Sequence, residues 1–201
     1  MAGTAKPALL IVDVQNDFTP GGALAVTEGD QVVPLLSDLA ARFAARGYPV
    51  YASRDWHPAD SRHFQQYGGT WPVHCVQGTP GAAFHPALRL PPNTPVVSAG
   101  MSRDDEGYSA FEGRTAEDEP FAERLRRDNV DHLYVGGLAT DYCVRASVLD
   151  ALRHGLTVTL LTDASRGVNL QPGDAERAIE EVRAAGAELA TTADVPPLSQ
   201  G

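Results

Sequence analysis

The sequence predicts an α/β fold in which helices cover both faces of a doubly wound, mainly parallel sheet of six strands. Short apolar runs rich in β-branched residues alternate along the chain with amphipathic segments of helical period. Polar residues follow several of these runs, as expected where parallel strands end at a ligand-binding edge. The chain has 201 residues, which suits one domain, 1–201, with a sizeable core.

The first half of the chain supplies three strands and one helix. The apolar run 8–14 is the first strand, and residues 32–47 have helical period until a glycine ends the pattern. Residues 48–55 and 94–100 form the next two strands. The stretch between them, about 56–95, shows little periodicity and is too long for an idle connection, so we expect this excursion to carry function.

Helices and strands alternate more regularly in the second half. The helical segments are residues 120–129, 143–155 and 172–186, and the strands between them are residues 132–138 and 156–165. A short strand after the last helix completes the sheet.

Four residues lie at or next to the carboxyl ends of predicted strands. They are Asp13, Asp55, Ala99 and Cys143. Because the ends of parallel strands meet at one edge of a sheet, we expect all four to line the same site.

Charge and composition exclude two classes of partner. The formal net charge is −10 and the arginines are scattered, which argues against a nucleic-acid groove. No apolar segment is long enough to span a bilayer, and the N-terminal residues do not resemble a secretory signal. With two cysteines and nothing that points to export, we expect reduced thiols in a cytoplasmic protein. The number of chains that assemble stays open, a homo-oligomer included.

Cys143 lies where an apolar strand gives way to a helix. The dipole and the free N–H groups of a helix start favour a thiolate, and the backbone amides of this turn could bind an oxyanion. Asp13 could act as the base, because a carboxylate that ends an apolar strand tends to have a raised pKa when buried. The alternatives are that Cys143 is an inert core residue and that Asp13 caps a turn.

A second group of residues has the composition of a metal site. Asp55 and His57 flank one residue, so both can face the same side of an extended segment, and His74 can join them from the excursion. A carboxylate with imidazoles suits zinc, iron or manganese, and His63 could be a fourth ligand. The alternative is that this pair is solvated or satisfied in the core, with His57 starting a turn at Pro58.

The chain resembles the nicotinamidase branch of the isochorismatase-like cysteine hydrolases. The resemblance runs in order through about residues 8–190 and is carried by the segments "LLIVDVQNDFTPGGALAV", "SRDWHPADSRHF", "TWPVHCVQGTPGAAFHP", "GYSAFEG" and "GLATDYCVRASVLDALRHG". It implies a three-layer, Rossmann-like α/β/α fold. It also implies a metal-containing amidohydrolase of NAD salvage, in which Cys143 is the nucleophile and Asp13 the general base.

The resemblance assigns further residues to the site. It implies metal ligands at Asp55, His57 and His74, whereas the position of His63 is a histidine in some relatives and a serine in others. It implies aromatic walls for a pyridine ring at Phe18, Trp71 and Tyr108. The amides of Ala139 and Cys143 match an oxyanion hole, and the peptide bond between Leu138 and Ala139 is expected to be cis.

The reaction implied by the resemblance is hydrolysis of nicotinamide to nicotinic acid and ammonia through a cysteine thioester. Asp13 takes the thiol proton, Cys143 attacks the carboxamide carbon, and the proton later passes to the departing ammonia. The sequence leaves open whether pyrazinamide is an equally good substrate and which divalent metal is bound.

Ala99 departs from the family pattern at the third catalytic position. Relatives have a lysine there, at the end of the third strand, whereas this chain has "TPVVSAG", its one lysine is Lys6, and Arg103 falls in the following loop. A lysine between Asp13 and Cys143 would favour ionisation of both, so we expect an impaired or inactive enzyme. The alternatives are a non-catalytic relative that binds metal and ligand, or another amide or ether hydrolase of the same fold, against which the metal residues argue.

Overall fold

The computed structural model describes residues 6–196 and contains six parallel strands in the order β3-β2-β1-β4-β5-β6. The strands are β1 (Pro7–Val12), β2 (Val50–Asp55), β3 (Val96–Ala99), β4 (His132–Leu138), β5 (Thr157–Arg166) and β6 (Glu188–Ala190). All five pairings are parallel, as predicted. The order reverses between β1 and β4, and ligands of such sheets bind at the carboxyl ends of the strands beside that reversal.

Four α-helices flank the sheet: α1 (Val32–Ala44), α2 (Phe121–Arg127), α3 (Arg145–Arg153) and α4 (Asp174–Ala184). Side chains of β1 alternate between the two faces, so that Leu9 and Ile11 pack in the core that includes α1, while Leu10 and Val12 pack in the core that includes the other three helices. This arrangement is the expected three-layer fold. No helix within residues 6–196 is both long and apolar enough to cross a bilayer.

Burial on both faces explains why the first strand reads as an uninterrupted apolar run. Residues 8–12 have no exposed surface at all. Parallel strands between two helical layers have this pattern, whereas strands with one solvated face alternate apolar and polar residues.

The excursion 56–95 contributes none of the six strands and folds as loops with two short 3-10 helices, Gln65–Tyr67 and Pro80–Ala82. The excursion returns to the sheet edge beside His57. The backbone N–H of His57 donates to the carbonyl of Cys75 at 3.0 Å, and the carbonyl of His57 accepts from the backbone N–H of Gln77 at 2.8 Å.

The single domain predicted over 1–201 includes residues 1–5 and 197–201, which lie outside the described part.

Candidate active site

Three side chains meet at the edge where the strand order reverses. Asp13 directly follows β1, Asp55 ends β2, and Cys143 lies in the turn after β4. One carboxylate oxygen from each aspartate and the Cys143 Sγ all lie within 4.8 Å of one another. Their residues are at most 7% exposed. Three of the four residues expected at one site therefore meet at this edge of the sheet.

Asp13 has an unusual backbone conformation, and burial raises the pKa of its carboxyl group. Its φ is 48°, in the left-handed region that non-glycine residues rarely adopt. The Ser53 hydroxyl donates to Asp13 Oδ1 at 2.6 Å. Burial, and then the negative charge of Asp55, raise the pKa of Asp13 to about 8, although the hydrogen bond from Ser53 opposes the shift. A carboxylate of this kind has the affinity for protons that a general base requires.

Cys143 lies in a π-helical turn, Thr140–Val144, that precedes α3. The helical backbone therefore begins at Thr140, three residues before the predicted start. Burial, and then the charge of Asp13, raise the pKa of the Cys143 thiol above its ordinary value. The helix start alone predicted a stabilised thiolate, and that expectation is wrong here because desolvation and a neighbouring carboxylate outweigh the helix dipole. The shift agrees with the protonated thiol expected from the absence of a lysine.

Ala99 lies beside Asp55 in the sheet. The two residues are paired in the register of β2 and β3. Val97 packs in the same core as Cys143, and a strand places residues two apart on one face, so the Ala99 methyl is on the Cys143 side of the sheet. The groups that shift the pKa of Asp13 are Asp55, Ser53 and Cys143, none of them a cation. A methyl group thus stands where a lysine would supply positive charge.

The three predicted histidines converge on Asp55. One ring nitrogen from each of His57, His63 and His74 lies within 4.8 Å of the others. The Nε2 atoms of His57 and His74 lie 3.3 Å and 3.4 Å from Asp55 Oδ2.

Several polar atoms of this group have no hydrogen-bond partner among the described residues. They are Asp55 Oδ1 and both ring nitrogens of His57, all buried. Buried polar atoms are normally paired, because an unpaired one costs the full desolvation penalty. Convergent imidazoles and a carboxylate with unused lone pairs fit a divalent cation.

The hydrogen bond of one histidine and the pKa of another also suit a metal. Nδ1 of His74 lies 2.7 Å from the carbonyl oxygen of Pro72, which can only accept, so in the neutral ring Nδ1 carries the proton and the lone pair is on Nε2. Burial, and then the charge of His57, lower the pKa of His63 to about 4, so its ring is neutral at pH 7. Neutral imidazole is the form that binds metals.

Gly100 allows the sheet edge to approach His57 closely. A Cβ on Gly100 would lie 2.5 Å from His57 Cε1, and its φ of +69° is in the left-handed region. Any larger residue would therefore displace the imidazole.

Asp55 and Cys143 line a small pocket with mainly apolar walls. Its lining residues are Phe18, Leu24, Asp55, His63, Trp71, His74, Tyr108, Ala139, Tyr142, Cys143 and Val168. The indole N–H of Trp71 donates to the Tyr108 hydroxyl at 2.9 Å, and the Trp71 ring packs edge-on against Tyr142 with centroids 4.9 Å apart. The predicted aromatic residues Phe18, Trp71 and Tyr108 thus line one pocket.

Two further observations concern the backbone beside this pocket and a second opening elsewhere on the molecule. The Leu138–Ala139 peptide is cis, as the family resemblance implied. A larger opening lies near Lys6 and Pro91 and is lined by none of the predicted site residues, so size alone does not identify the site.

Sequence reasoning missed several residues that shape the site. Ser53 could have been found, because it lies two residues before Asp55 and therefore shares its face of β2. Gln15, Leu24 and Tyr142 are inside the segments that carry the family resemblance but were given no role. Leu24 and Tyr142 line the pocket, and Gln15 bonds to the backbone of Asp55. Val168 lies outside those segments and carries no signal of its own.

Comparisons with known proteins agree on one family. Residues 7–194 match the Isochorismatase domain. The nicotinamidase of Escherichia coli (strain K12) is 43% identical over 203 residues, covering 93% of this chain and 95% of that protein.

Two solved structures share the fold. The pyrazinamidase of Pyrococcus horikoshii in complex with zinc superposes with a TM-score of 0.85 and 45% identity, covering 92% of this chain and 99% of that one. PnC1 from L. infantum in complex with nicotinate gives a TM-score of 0.80 and 31% identity, with 94% of both chains covered.

Proposed function

The chain belongs to the isochorismatase family, and on that premise we propose that it is a nicotinamidase, which hydrolyses nicotinamide to nicotinic acid and ammonia. The observation that carries the proposal is the approach of Asp13 to Cys143 within 4.8 Å, beside a pocket walled by aromatic side chains. A nucleophile, a base and flat apolar walls are what hydrolysis of a small aromatic amide requires. Pyrazinamide has the same ring size and carboxamide, and we propose it as a second substrate.

We assign the proton transfers to Asp13. Its raised pKa lets it accept the Cys143 proton as the sulfur attacks the carboxamide carbon and deliver that proton to the departing ammonia. The backbone amides of Ala139 and Cys143 are the proposed donors to the oxyanion of the tetrahedral intermediate. Hydrolysis of the resulting thioester by water releases the acid and restores the thiol.

Phe18, Trp71 and Tyr108 are the proposed walls of the ring site, and the hydrogen bond between Trp71 and Tyr108 fixes the orientation of both rings. A rigid slot of aromatic side chains orients a planar ring and excludes water from the carboxamide.

We propose Asp55, His57, His63 and His74 as ligands of one divalent metal, with zinc as its identity. The zinc complex of the Pyrococcus horikoshii relative and the unpaired lone pairs of this site support that choice. A bound divalent ion supplies Lewis acidity and a fixed positive charge to the site. These four side chains would hold that charge close to Asp13, because Asp55 Oδ2 lies 3.3 Å and 3.4 Å from the Nε2 atoms of His57 and His74 and Asp55 also lies beside Asp13.

Ala99 leads us to propose that this nicotinamidase turns over slowly. Without a lysine, the site holds a carboxylate and a thiol that cannot both ionise cheaply in buried surroundings. The free thiols of Cys75 and Cys143 suit a reducing compartment, and we place the enzyme in the cytoplasm.

Ammonia release from nicotinamide by the purified, zinc-loaded chain tests the proposed function. We expect slow but measurable turnover that is abolished in Cys143→Ser and unchanged in Cys75→Ser, its buried counterpart. Turnover that survives Cys143→Ser would overturn the assignment of the nucleophile. Tight binding of nicotinamide with no turnover under any condition would favour the alternative, a relative that binds metal and ligand without catalysis.

A further inference from the structure

The three side chains at the reversal of the strand order form a compact group of potential metal ligands, which we call the acid–thiol cluster: Asp13, Asp55 and Cys143. One oxygen of each carboxylate and the sulfur lie within 4.8 Å of one another. This spacing brings three ligand atoms around a single point, as a metal site requires.

The acid–thiol cluster contains an unsatisfied acceptor. Asp55 Oδ1 is buried and has no hydrogen-bond partner among the described residues, while Oδ2 of the same carboxylate faces His57 and His74. The side chain of Asp55 is only 5% exposed, so water does not freely compensate this oxygen. A buried carboxylate oxygen without a donor is a favourable position for a cation.

In the metal-free chain, the charge balance of the cluster also favours a cation. Its members are all acids, and the strand neighbour of Asp55 on the same side of the sheet is the uncharged Ala99. A lysine at that position would place an ammonium group near the cluster and repel a metal ion. The pocket lined by Asp55 and Cys143 gives an ion a path to the cluster.

We propose that the acid–thiol cluster is a second metal site, which binds a thiophilic divalent cation such as zinc or cadmium and thereby blocks Cys143. Two carboxylate oxygens and a thiolate suit ions of intermediate and soft character, whereas the histidine site beside it offers nitrogen ligands and no sulfur. Asp55 is common to both sites, and a shared carboxylate is compatible with two ions about 3.5–4 Å apart.

Binding at this site exchanges protons for metal. A bond forms between Cys143 Sγ and the cation, the S–H bond breaks, and the thiol proton passes to solvent together with any proton on Asp13. The sulfur lone pair that would attack a carboxamide is then engaged by the metal. Excess metal therefore inhibits this enzyme, although one equivalent in the histidine site does not.

Cadmium titration of the metal-free chain tests the proposal, because a cadmium–thiolate bond produces an ultraviolet charge-transfer absorption. We expect two bound equivalents and a thiolate band that is absent in Cys143→Ser and retained in Cys75→Ser. Asp13→Asn should weaken the binding that produces the band by about tenfold or more. A double variant, His57→Ala with His74→Ala, should lose one equivalent but keep the band.

A band that is missing in the unaltered chain, that persists in Cys143→Ser, or that disappears in the double histidine variant would overturn the proposal. Circular dichroism identifies a substituted chain that fails to fold. In that case, alkylation of Cys143 in the unaltered chain tests the proposal instead. Cadmium should protect Cys143 from iodoacetamide, and chelation should restore labelling. Labelling that is unaffected by cadmium contradicts the second site.

Two substitutions at Ala99 separate the effect of charge on cadmium binding from the effect of bulk. Ala99→Lys should weaken cadmium binding at the thiol by about tenfold or more, whereas Ala99→Met, which adds similar bulk without charge, should weaken it less. Equal effects of the two substitutions would show that space, rather than charge, makes the site available, and would overturn the electrostatic part of the proposal.

Discussion

Gln15 takes the place of a neighbouring strand at the end of β2, where its side-chain amide pairs with the backbone of Asp55. Gln15 Oε1 accepts from the Asp55 N–H at 2.8 Å, and Gln15 Nε2 donates to the Asp55 carbonyl at 2.8 Å. The same amide group donates to the carbonyl of Ala82 in the excursion at 2.9 Å. One buried side chain therefore fixes the backbone of a proposed metal ligand and the loop that covers it.

Gln15→Met should destabilise the fold and loosen the metal site. The substitution leaves three buried backbone groups unpaired, and each such loss costs about 1–3 kcal/mol. We expect a fall of several kcal/mol in the free energy of unfolding, measured by urea denaturation, together with weaker zinc binding. Gln77→Met is the matched control, because Gln77 also donates to two backbone carbonyls but is exposed. Equal effects of the two substitutions would contradict the proposed role of Gln15.

His74→Ala should remove metal from the site. His74 supplies a ring nitrogen whose lone pair is left free by the hydrogen bond from Nδ1 to Pro72. We expect bound zinc, measured by elemental analysis after dialysis, to fall well below the level of the unaltered chain, and nicotinamide binding to weaken. His85→Ala, outside the site, is the control. Unchanged metal content in His74→Ala would remove this residue from the metal site.

Cys143 should be alkylated much faster than Cys75. Burial raises the pKa of both thiols, so access of the reagent to the sulfur decides which thiol reacts faster. Cys143 lines the pocket, whereas Cys75 has no exposed surface. Iodoacetamide labelling followed by peptide mass spectrometry measures both rates in one sample. Because only the thiolate reacts and the pKa is raised, labelling of Cys143 should accelerate as the pH rises above neutrality. Faster labelling of Cys75 would show that the pocket does not open to Cys143.

Ala99→Lys should raise the rate of nicotinamide hydrolysis by orders of magnitude. An ammonium group beside Asp55 and on the Cys143 side of the sheet would stabilise the charged forms of the thiol and of Asp13. Loss of one member of a catalytic unit commonly lowers the rate by about 10⁴-fold or more. Ala99→Met controls for bulk and should give no gain. A gain of less than about tenfold would show that this enzyme does not depend on a lysine here.

Asp13→Asn should abolish hydrolysis while making the metal-free protein more stable at pH 8. The pKa of Asp13 is raised from 3.8 to about 8, so its favourable contribution to stability is complete below pH 3.8 and is lost as the pH rises through 8. Asparagine has no carboxyl proton to lose. The stability of Asp13→Asn relative to the unaltered chain should therefore increase between pH 3.8 and pH 8, by at most about 1.4 kcal/mol for each unit of the pKa shift.

Unfolding by urea at pH 5 and pH 8 measures this difference for the unaltered chain, for Asp13→Asn and for the surface control Asp60→Asn. A variant whose relative stability does not change between the two pH values would show that Asp13 titrates normally.

Hydrophobic period and chain order were enough to locate the strand ends. The apolar run before Asp13 and the strand before Cys143 could be read directly, because a strand buried on both faces leaves an uninterrupted apolar signal. Parallel strands bring their carboxyl ends together, so the meeting of Asp13, Asp55 and Cys143 follows from the sequence alone.

The tertiary structure decided the hydrogen-bond partners and the pKa values of those residues. The partners of Asp13 and Asp55 are Ser53 and Gln15, each 40 residues away along the chain, and no local pattern specifies such contacts. The direction of the Cys143 pKa also depended on the fold: a helix start favours the thiolate, but complete burial beside carboxylates favours the thiol. The sequence by itself determined which groups reach the site, because periodicity and order are properties of the chain. Their protonation and positioning belonged to the folded state, because desolvation and long-range hydrogen bonds arise only there.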